Sequence, residues 1–422
     1  MSLIGKLADG LQSISSTFTV EALAKDLQPE IDAALMKHEK DSQRQSKLSP
    51  KLTVWVVLTL ALRRELSYPN LLDWLTSGLR SLGWNTPRHS VADGTITHAR
   101  KRLGVAVIRE LFEASKRIVS QSTPDFHGFL SLAIDGTGLT MPDTEANLER
   151  FGKPGSSRGT AAFPQTRVVG LVAVATQTVF GFAFGPYCGK GTGEKTLGMK
   201  LVLENARAGL LFLLDRGFYG FELLDAILSK EAGFLIRVPD RVKLRRIRGS
   251  TLAEGSYCAW LVGKVVVGEL QSGRKQWTEV KHKVRVIRYR IRGFRETRLA
   301  TSVLDPSVEA REVVRHCHRR WAIELAYDSI KTHQFATRTG QSRTIQRSKL
   351  ADLVEQEIYA MMTLYNLLRD LINSAARFRR GNQDPGQTWE GSVSSFTGIE
   401  ARRAFEKAAG YSTGSEEVTW CS

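Results

Sequence analysis

The apolar run Leu52 to Leu62 (LTVWVVLTLAL) predicts a buried helix. Ser67-Tyr68-Pro69-Asn70 interrupts the pattern, and a helical spacing resumes from Leu71 to Leu82. Ile96 to Leu103 and Val107 to Val119 read as two further helices separated by Gly104, which makes residues 1–125 an all-α region. The pattern changes at Phe129. LSLAID (130–135) is a short apolar strand ending in an acid, and Thr166 to Thr176 and Thr178 to Phe184 read as paired strands. A helix over Leu197 to Ala208 precedes a second short strand, Leu210 to Leu214, which ends at Asp215. A helix over Gly220 to Ser229 and a strand over Phe234 to Val238 complete an alternation expected of an α/β layer fold. After Asp305-Pro306, residues 308–331 and 348–376 are strongly helical. The tail from Arg377, rich in Gly, Gln and Ser, reads as loosely ordered apart from a short helix over Ile399 to Ala409.

Composition adds size and charge. The 422 residues are 42% hydrophobic, enough for a sizeable core and for two or three domains. Lys and Arg number 60 against 43 acids, a net charge of +17 that points to a polyanionic partner. Between Arg241 and Arg298 there are 16 basic and 4 acidic residues, so this segment alone carries most of the excess. It reads as β structure. Lys281, Lys283 and Arg285 alternate, and so do Arg288, Arg290 and Arg292, with one slip in phase between Val286 and Ile287. A β-bulge at the slip would place all six cations on one nucleic-acid-binding face, with Val284, Tyr289 and Ile291 on the other; without a bulge the two halves would face opposite ways. Four scattered cysteines without a CxxC pair, and eight histidines without ligand spacing, argue against a disulfide framework or a zinc finger. The apolar run at 52–62 is too short to span a bilayer, and no signal peptide is legible, so a cytoplasmic, nucleoid-associated protein is expected.

The candidate chemistry rests on three acids. Asp135 and Asp215 end apolar strands, where open α/β sheets place their sites. Glu324 lies on a helix. At 100° per residue, Cys317, Arg320, Glu324, Asp328 and Lys331 fall on one side of it. Three carboxylates around a pair of Mg²⁺ ions are one solution to phosphodiester chemistry, since hard cations prefer oxygen ligands. Taken singly, an Asp after a strand is as readily a turn or cap residue, and Glu324 between cations is as readily a surface ion-pair row.

These motifs together resemble bacterial insertion-sequence transposases of the DDE type, in the group marked by a YREK signature. Arg320, Glu324 and Lys331 fit its spacing of Tyr, two residues, Arg, three residues, Glu, six residues, Lys. DRGFYG from Asp215 resembles the second family motif, and AIDGTGLTMPDT with NLERFG the first. KLTVWVVLTLALRRELSY resembles the N-terminal region of relatives, and RSKLADLVEQEIYAMMTLYNLLR from Arg347 the segment after the catalytic helix. The resemblance spans roughly residues 30–375 and implies an RNase H-like catalytic core over 126–240 and 306–376. It further implies a β-rich basic insertion at 241–305, a helical DNA-binding domain at 1–125 and a tail at 377–422. It implies that Asp135, Asp215 and Glu324 hold two Mg²⁺ ions, with Mn²⁺ able to substitute. Arg237, Arg320 and Lys331 are implied to contact double-stranded DNA, and the strand cations Lys283, Arg285, Arg288 and Arg290 are expected to do so. Trp260 or Trp277 would stack on a flipped base. A homodimer would hold two transposon ends for cut-and-paste transposition. The chain departs from the signature at its Tyr, where it carries Cys317; if the helix meets the transposon end as in relatives, its phase turns that position toward DNA, and the other reading is a small residue buried against the sheet. Two other readings fit the same residues: a metal-dependent endonuclease without strand transfer, and a non-catalytic DNA-binding descendant.

Overall fold

The computed structural model describes residues 20–41, 48–64, 66–84, 86, 91–116, 123–156, 159–269, 275–291, 295–333, 346–381 and 418–420. Arg292, Cys421 and the expected helix over 399–409 lie outside them.

Among the described residues five helices come first: α1 (Val20–Lys37), α2 (Pro50–Leu62), α3 (Tyr68–Ser81), α4 (Asp93–Leu103) and α5 (Val105–Ser115). Ser49 caps α2 by accepting a hydrogen bond from the Leu52 N–H, Pro50 opens the first turn, and every residue from Leu52 to Leu62 is buried. Ser67 does the same for α3, so Tyr68, Pro69 and Asn70 form its first turn rather than the interruption expected. α5 is described to Ser115, and Val119, the expected end of this helix, lies outside the described residues. Gly104, at φ 78°, makes the sharp corner between α4 and α5.

The rest is built on one ten-stranded sheet. Its strands and intervening elements are β1 (Leu130–Thr140), α6 (Glu145–Phe151), a minor hairpin β2 (Gly155–Ser156) and β3 (Gly159–Thr160), β4 (Gln165–Ala173), β5 (Val179–Pro186), α7 (Glu194–Asn205), β6 (Leu210–Leu214), α8 (Phe221–Leu228) and β7 (Gly233–Arg237). Then follow β8 (Arg245–Thr251), β9 (Tyr257–Glu269), β10 (Lys275–Ile291) and β11 (Thr297–Thr301). After the sheet come α9 (Ala310–His318), α10 (Ala322–Asp328), α11 (Ala351–Gly381) and a last strand β12 (Val418–Trp420), which pairs with β10. The spatial order is β5-β4-β1-β6-β7-β11-β10-β9-β8. β1 is antiparallel to β4 and parallel to β6, β6 is parallel to β7, and the basic segment joins the same sheet through β11 against β7.

Two apolar cores cover the two faces. One packs Ala133, Leu213, Leu235 and Ile287 under α9, α10, α11 and the five N-terminal helices. The other packs Leu132, Ile134, Phe212 and Val284 under α7 and α8. The N-terminal helices share the first core with the sheet. Arg100 of α4, almost wholly buried, donates to Gln356 Oε1, Ser348 Oγ and the Leu353 carbonyl around the start of α11.

β1 does not stop at Asp135 but runs five residues further, because Asp135 to Thr140 continue to pair with Gly170 to Gln165 of β4. The bulge between Val286 and Ile287 is absent. β10 pairs without interruption from Arg285 to Tyr289 with β11, and its register shift lies at Gln276/Trp277. Strict alternation therefore divides the cations, with Lys281, Lys283 and Arg285 on one face and Arg288 and Arg290 on the other.

Arg285 does not face solvent at all, so it is withdrawn as a DNA contact. It is fully buried, its Nε donates to Ser256 Oγ at 3.1 Å, and its Nη1 donates to the Val308 carbonyl at 2.6 Å and that of Asp305 at 3.3 Å. Burial pushes its pKa down, against the pull of Glu254. It satisfies the carbonyls of the loop that leads into α9. Arg288 is committed to Glu296 through two hydrogen bonds, at 2.8 and 3.0 Å, so it too is corrected from a phosphate ligand to an ion-pair partner. Lys283 and Arg290 remain exposed. Arg285→Ala is expected to lower stability by about 2–4 kcal/mol, since it removes buried volume and leaves buried acceptors unpaired. Denaturant melts check the loss, and the salt dependence of DNA binding should not move.

Candidate active site

The register of three parallel strands creates the site. Ile134, Leu214 and Ile236 are paired across β1, β6 and β7, so the next residues, Asp135, Asp215 and Arg237, stand level on neighbouring strands about 5 Å apart. β6 ends at Leu214, and Asp215, still extended at φ −79° and ψ 163°, begins a single 3₁₀ turn over Arg216–Phe218. Neighbouring apolar residues Leu132 and Ile134 enter the core under α7, so alternation sends Asp135 to the opposite face, toward α9 and α10.

Glu324 comes from that face. The helix expected over 308–331 is not continuous. A 3₁₀ turn at Arg319–Trp321 separates α9 from α10, and a π turn at Ser329–His333 follows. Three residues per turn in the 3₁₀ segment, against 3.6 in an α-helix, change the phase between Cys317 and Glu324. That shift is only about 60°, so Cys317 stays on the side of Arg320 and Glu324, and this side packs against the sheet instead of facing DNA. Arg320 and Glu324 turn to the carboxylates, while Cys317 lies in the apolar core and is 5% exposed. Its DNA-facing expectation is corrected: burial pushes the thiol up to about 11, with Arg320 and Arg237 opposing and Asp215 adding to the rise. Asp328 is exposed and lies near Lys331.

Arg320 joins the acids. Its Nη1 donates to Asp135 Oδ2 at 3.2 Å and its Nη2 to Glu324 Oε1 at 2.9 Å. Burial works to lower the Arg320 pKa, but Asp135, Asp215 and Glu324 together outweigh it and raise it. The Glu324 carboxyl is raised, first by desolvation and then by repulsion from Asp135 and Asp215, with Arg320 opposing. Lys331 donates to Thr137 Oγ1, two residues beyond Asp135 on the same face of β1. Burial lowers its pKa and Asp328 opposes.

Three groups at this site were not singled out from the sequence. Thr137 would follow from period-2 spacing once β1 is known to continue. Tyr327, one turn past Glu324, donates from its hydroxyl to the Asp135 carbonyl at 2.8 Å. Glu194, at the start of α7, lays its carboxyl group against Gly136, where its Cδ is 2.6 Å from the position a Cβ would take. No local sequence pattern links Glu194 to Asp135; only the packing of α7 on the sheet does.

All-oxygen donors of like charge, already gathered about one cation, suit a hard divalent ion. Among the described residues no three His, Cys, Asp or Glu side chains form a ready-made ligand group, and two of the acids here bond Arg320 instead. Trp260 and Trp277 sit apart from the acids. Both are exposed, at 37% and 50%, on the face of β9 and β10 that also carries Lys281 and Lys283.

Carboxylates level on parallel strands β1 and β6, with half-buried Arg320 and Lys331 beside them, are an arrangement suited to handling phosphodiesters. Comparison with known proteins gives the family. Residues 128–367 match the transposase DDE domain, and residues 17–113 match the insertion element 4 transposase N-terminal domain. The chain belongs to the DDE transposases, and it is a DNA transposase. It is 28% identical over 375 residues to the transposase InsG for insertion sequence element IS4 of Escherichia coli (strain K12), an alignment covering 85% of this chain and 78% of the relative. A cryo-EM structure of a piggyBac transposase synaptic complex with hairpin DNA aligns over 92% of this chain and 79% of that one, with a TM-score of 0.44 and 9% identity. Among the described residues no helix is long and apolar enough to cross a membrane.

Proposed function

We propose that this transposase cuts DNA at the ends of an insertion sequence and joins the freed ends to target DNA, with Asp135, Asp215 and Glu324 as its catalytic carboxylates. The observation that carries the reading is their convergence on Arg320 from a strand, a strand end and a helix far apart in sequence. The order β5-β4-β1-β6-β7, with β1 antiparallel to β4 and parallel to β6, supports an RNase H-like core. The three carboxylates would hold Mg²⁺, or Mn²⁺ in its place, and a bound pair of such ions activates an attacking oxygen and stabilises a leaving one.

The chain's own cations then have distinct tasks. Arg320, kept protonated by three acids, is placed to bond a phosphate oxygen that approaches Asp135 and Glu324. Lys331, held by Thr137, and Arg237, level with Asp215, flank it. Arg320, Glu324 and Lys331 thus form a YREK-type signature with Cys317 in the place of its Tyr. Trp260 and Trp277, interleaved with Lys281 and Lys283 on one exposed face, form a stacking platform for unpaired bases of the ends. Two protomers would hold two ends.

The test is to incubate the full chain with Mg²⁺ and duplexes carrying the sequence that flanks its coding region, then resolve nicked and joined products. Cleavage with joining supports the proposal. Nicks without joined products favour an endonuclease, and binding with neither favours a non-catalytic descendant. On the stacking face, Trp260→Ala with Trp277→Ala is expected to weaken binding of ends with unpaired bases by about tenfold or more, at ~1–3 kcal/mol per stacked base, and to spare fully paired duplex. Titration of both DNAs in parallel checks it.

A further inference from the structure

We propose that the Tyr327 hydroxyl is a positioning group of the carboxylate site: its hydrogen bond to the Asp135 carbonyl, for which Gly170 leaves room, sets the spacing between the helix carrying Glu324 and the strand carrying Asp135. The inference rests on the reading of Asp135 and Glu324 as partners in one site.

α10 is only seven residues long and is bounded by a 3₁₀ turn on one side and a π turn on the other. Its place over the sheet therefore comes from its own contacts. Ile323 and Ala326 supply apolar packing, which is not directional. Tyr327 supplies the directional contact. It is three residues from Glu324, hence on the same side of the helix, and its buried hydroxyl donates at 2.8 Å to the main chain of Asp135 itself.

The strand opposite is shaped to admit it. Gly170 of β4 pairs directly with Asp135, and a Cβ at Gly170 would lie 2.7 Å from the Tyr327 hydroxyl oxygen and 3.5 Å from the ring carbon that bears it. A side chain there would displace the hydroxyl but not the ring. Arg320 also bridges Asp135 and Glu324, but it does so through the carboxylate oxygens, which any incoming cation would need. The Tyr327 bond uses a carbonyl, so it holds helix to strand while leaving both carboxylates free.

The experiment compares Tyr327→Phe, Gly170→Ala, the double variant and Glu324→Gln with the natural protein. It measures thermal melting, Mn²⁺ binding by calorimetry, and single-turnover end cleavage across Mg²⁺ concentrations. Tyr327→Phe is expected to weaken Mn²⁺ binding and raise the Mg²⁺ concentration for half-maximal cleavage by about tenfold, the worth of one buried hydrogen bond. Gly170→Ala, which pushes the hydroxyl away, should shift the metal requirement in the same direction and lower the melting temperature. In the double variant the melting temperature should recover, because the oxygen that met the methyl group is gone, while the metal requirement stays raised. Unchanged Mn²⁺ binding and Mg²⁺ requirement in Tyr327→Phe, or in Gly170→Ala should the former not fold, overturn the positioning role alone, provided Glu324→Gln is inactive. Normal cleavage by Glu324→Gln overturns the site itself.

Discussion

Asp135→Asn, Asp215→Asn and Glu324→Gln each lower strand cleavage by about 10³-fold or more, and leave binding of end DNA nearly unchanged. This is the expected result if the three acids serve chemistry, while affinity comes from phosphate contacts elsewhere on a chain of net charge +17. The amides preserve shape, so Arg320 keeps an oxygen to bond on each side. Folding is expected to suffer little. The Glu324 carboxyl is raised by desolvation and by Asp135 and Asp215, so its ionised form is disfavoured in the folded state. A raised carboxyl contributes stability below its folded value and loses it as pH rises through that value, so at neutral pH Glu324→Gln should melt no lower than the natural protein. Single-turnover cleavage, end-binding titrations and thermal melts on the same preparations check the three parts. Near-normal cleavage by one variant would remove that residue from the site.

Cys317→Tyr, which places at this position the residue of the proposed signature, is expected to damage the protein. The thiol is buried against the core beneath α9 and α10, and the larger ring would overpack it at a cost of about 1–3 kcal/mol. The damage should reach catalysis as well as stability, because Arg320 and Asp215 lie close enough to act on the thiol. Thermal melting and single-turnover cleavage of pre-nicked end DNA measure both. A lowered melting temperature with slower cleavage is the expected pair. An unchanged melting temperature with faster cleavage would show that position 317 can still present a ring to DNA.

The sequence by itself determined the elements whose pattern is local. β6 runs from Leu210 to Leu214, the same bounds as its apolar run, because a strand covered on both faces needs every residue apolar. The buried helix at 52–62 was legible for the same reason, and so was Asp215, the first polar residue after β6. The basic excess of the 241–298 segment is likewise a matter of counting.

Tertiary structure decided the rest. Gly136-Thr137-Gly138 has the composition of a loop, yet pairing with β4 makes it strand, which puts Thr137 within reach of Lys331. Arg285 sits in an alternating row of cations that suggests a solvated face. It is buried because α9 and its leading loop cover that part of β10 and offer it the carbonyls of Val308 and Asp305. Periodicity shows which residues share a side of an element, but not what covers that side. Cys317 differs for the same reason: helix phase puts it on the side of Arg320 and Glu324, but at that position the side is covered by the core under α9 and α10. The acids themselves were visible as residue types, one after each of two apolar runs and one on a helix, although β1 runs on past Asp135. Their meeting about Arg320 depends on strand register and helix packing between segments nearly two hundred residues apart, which no local pattern encodes.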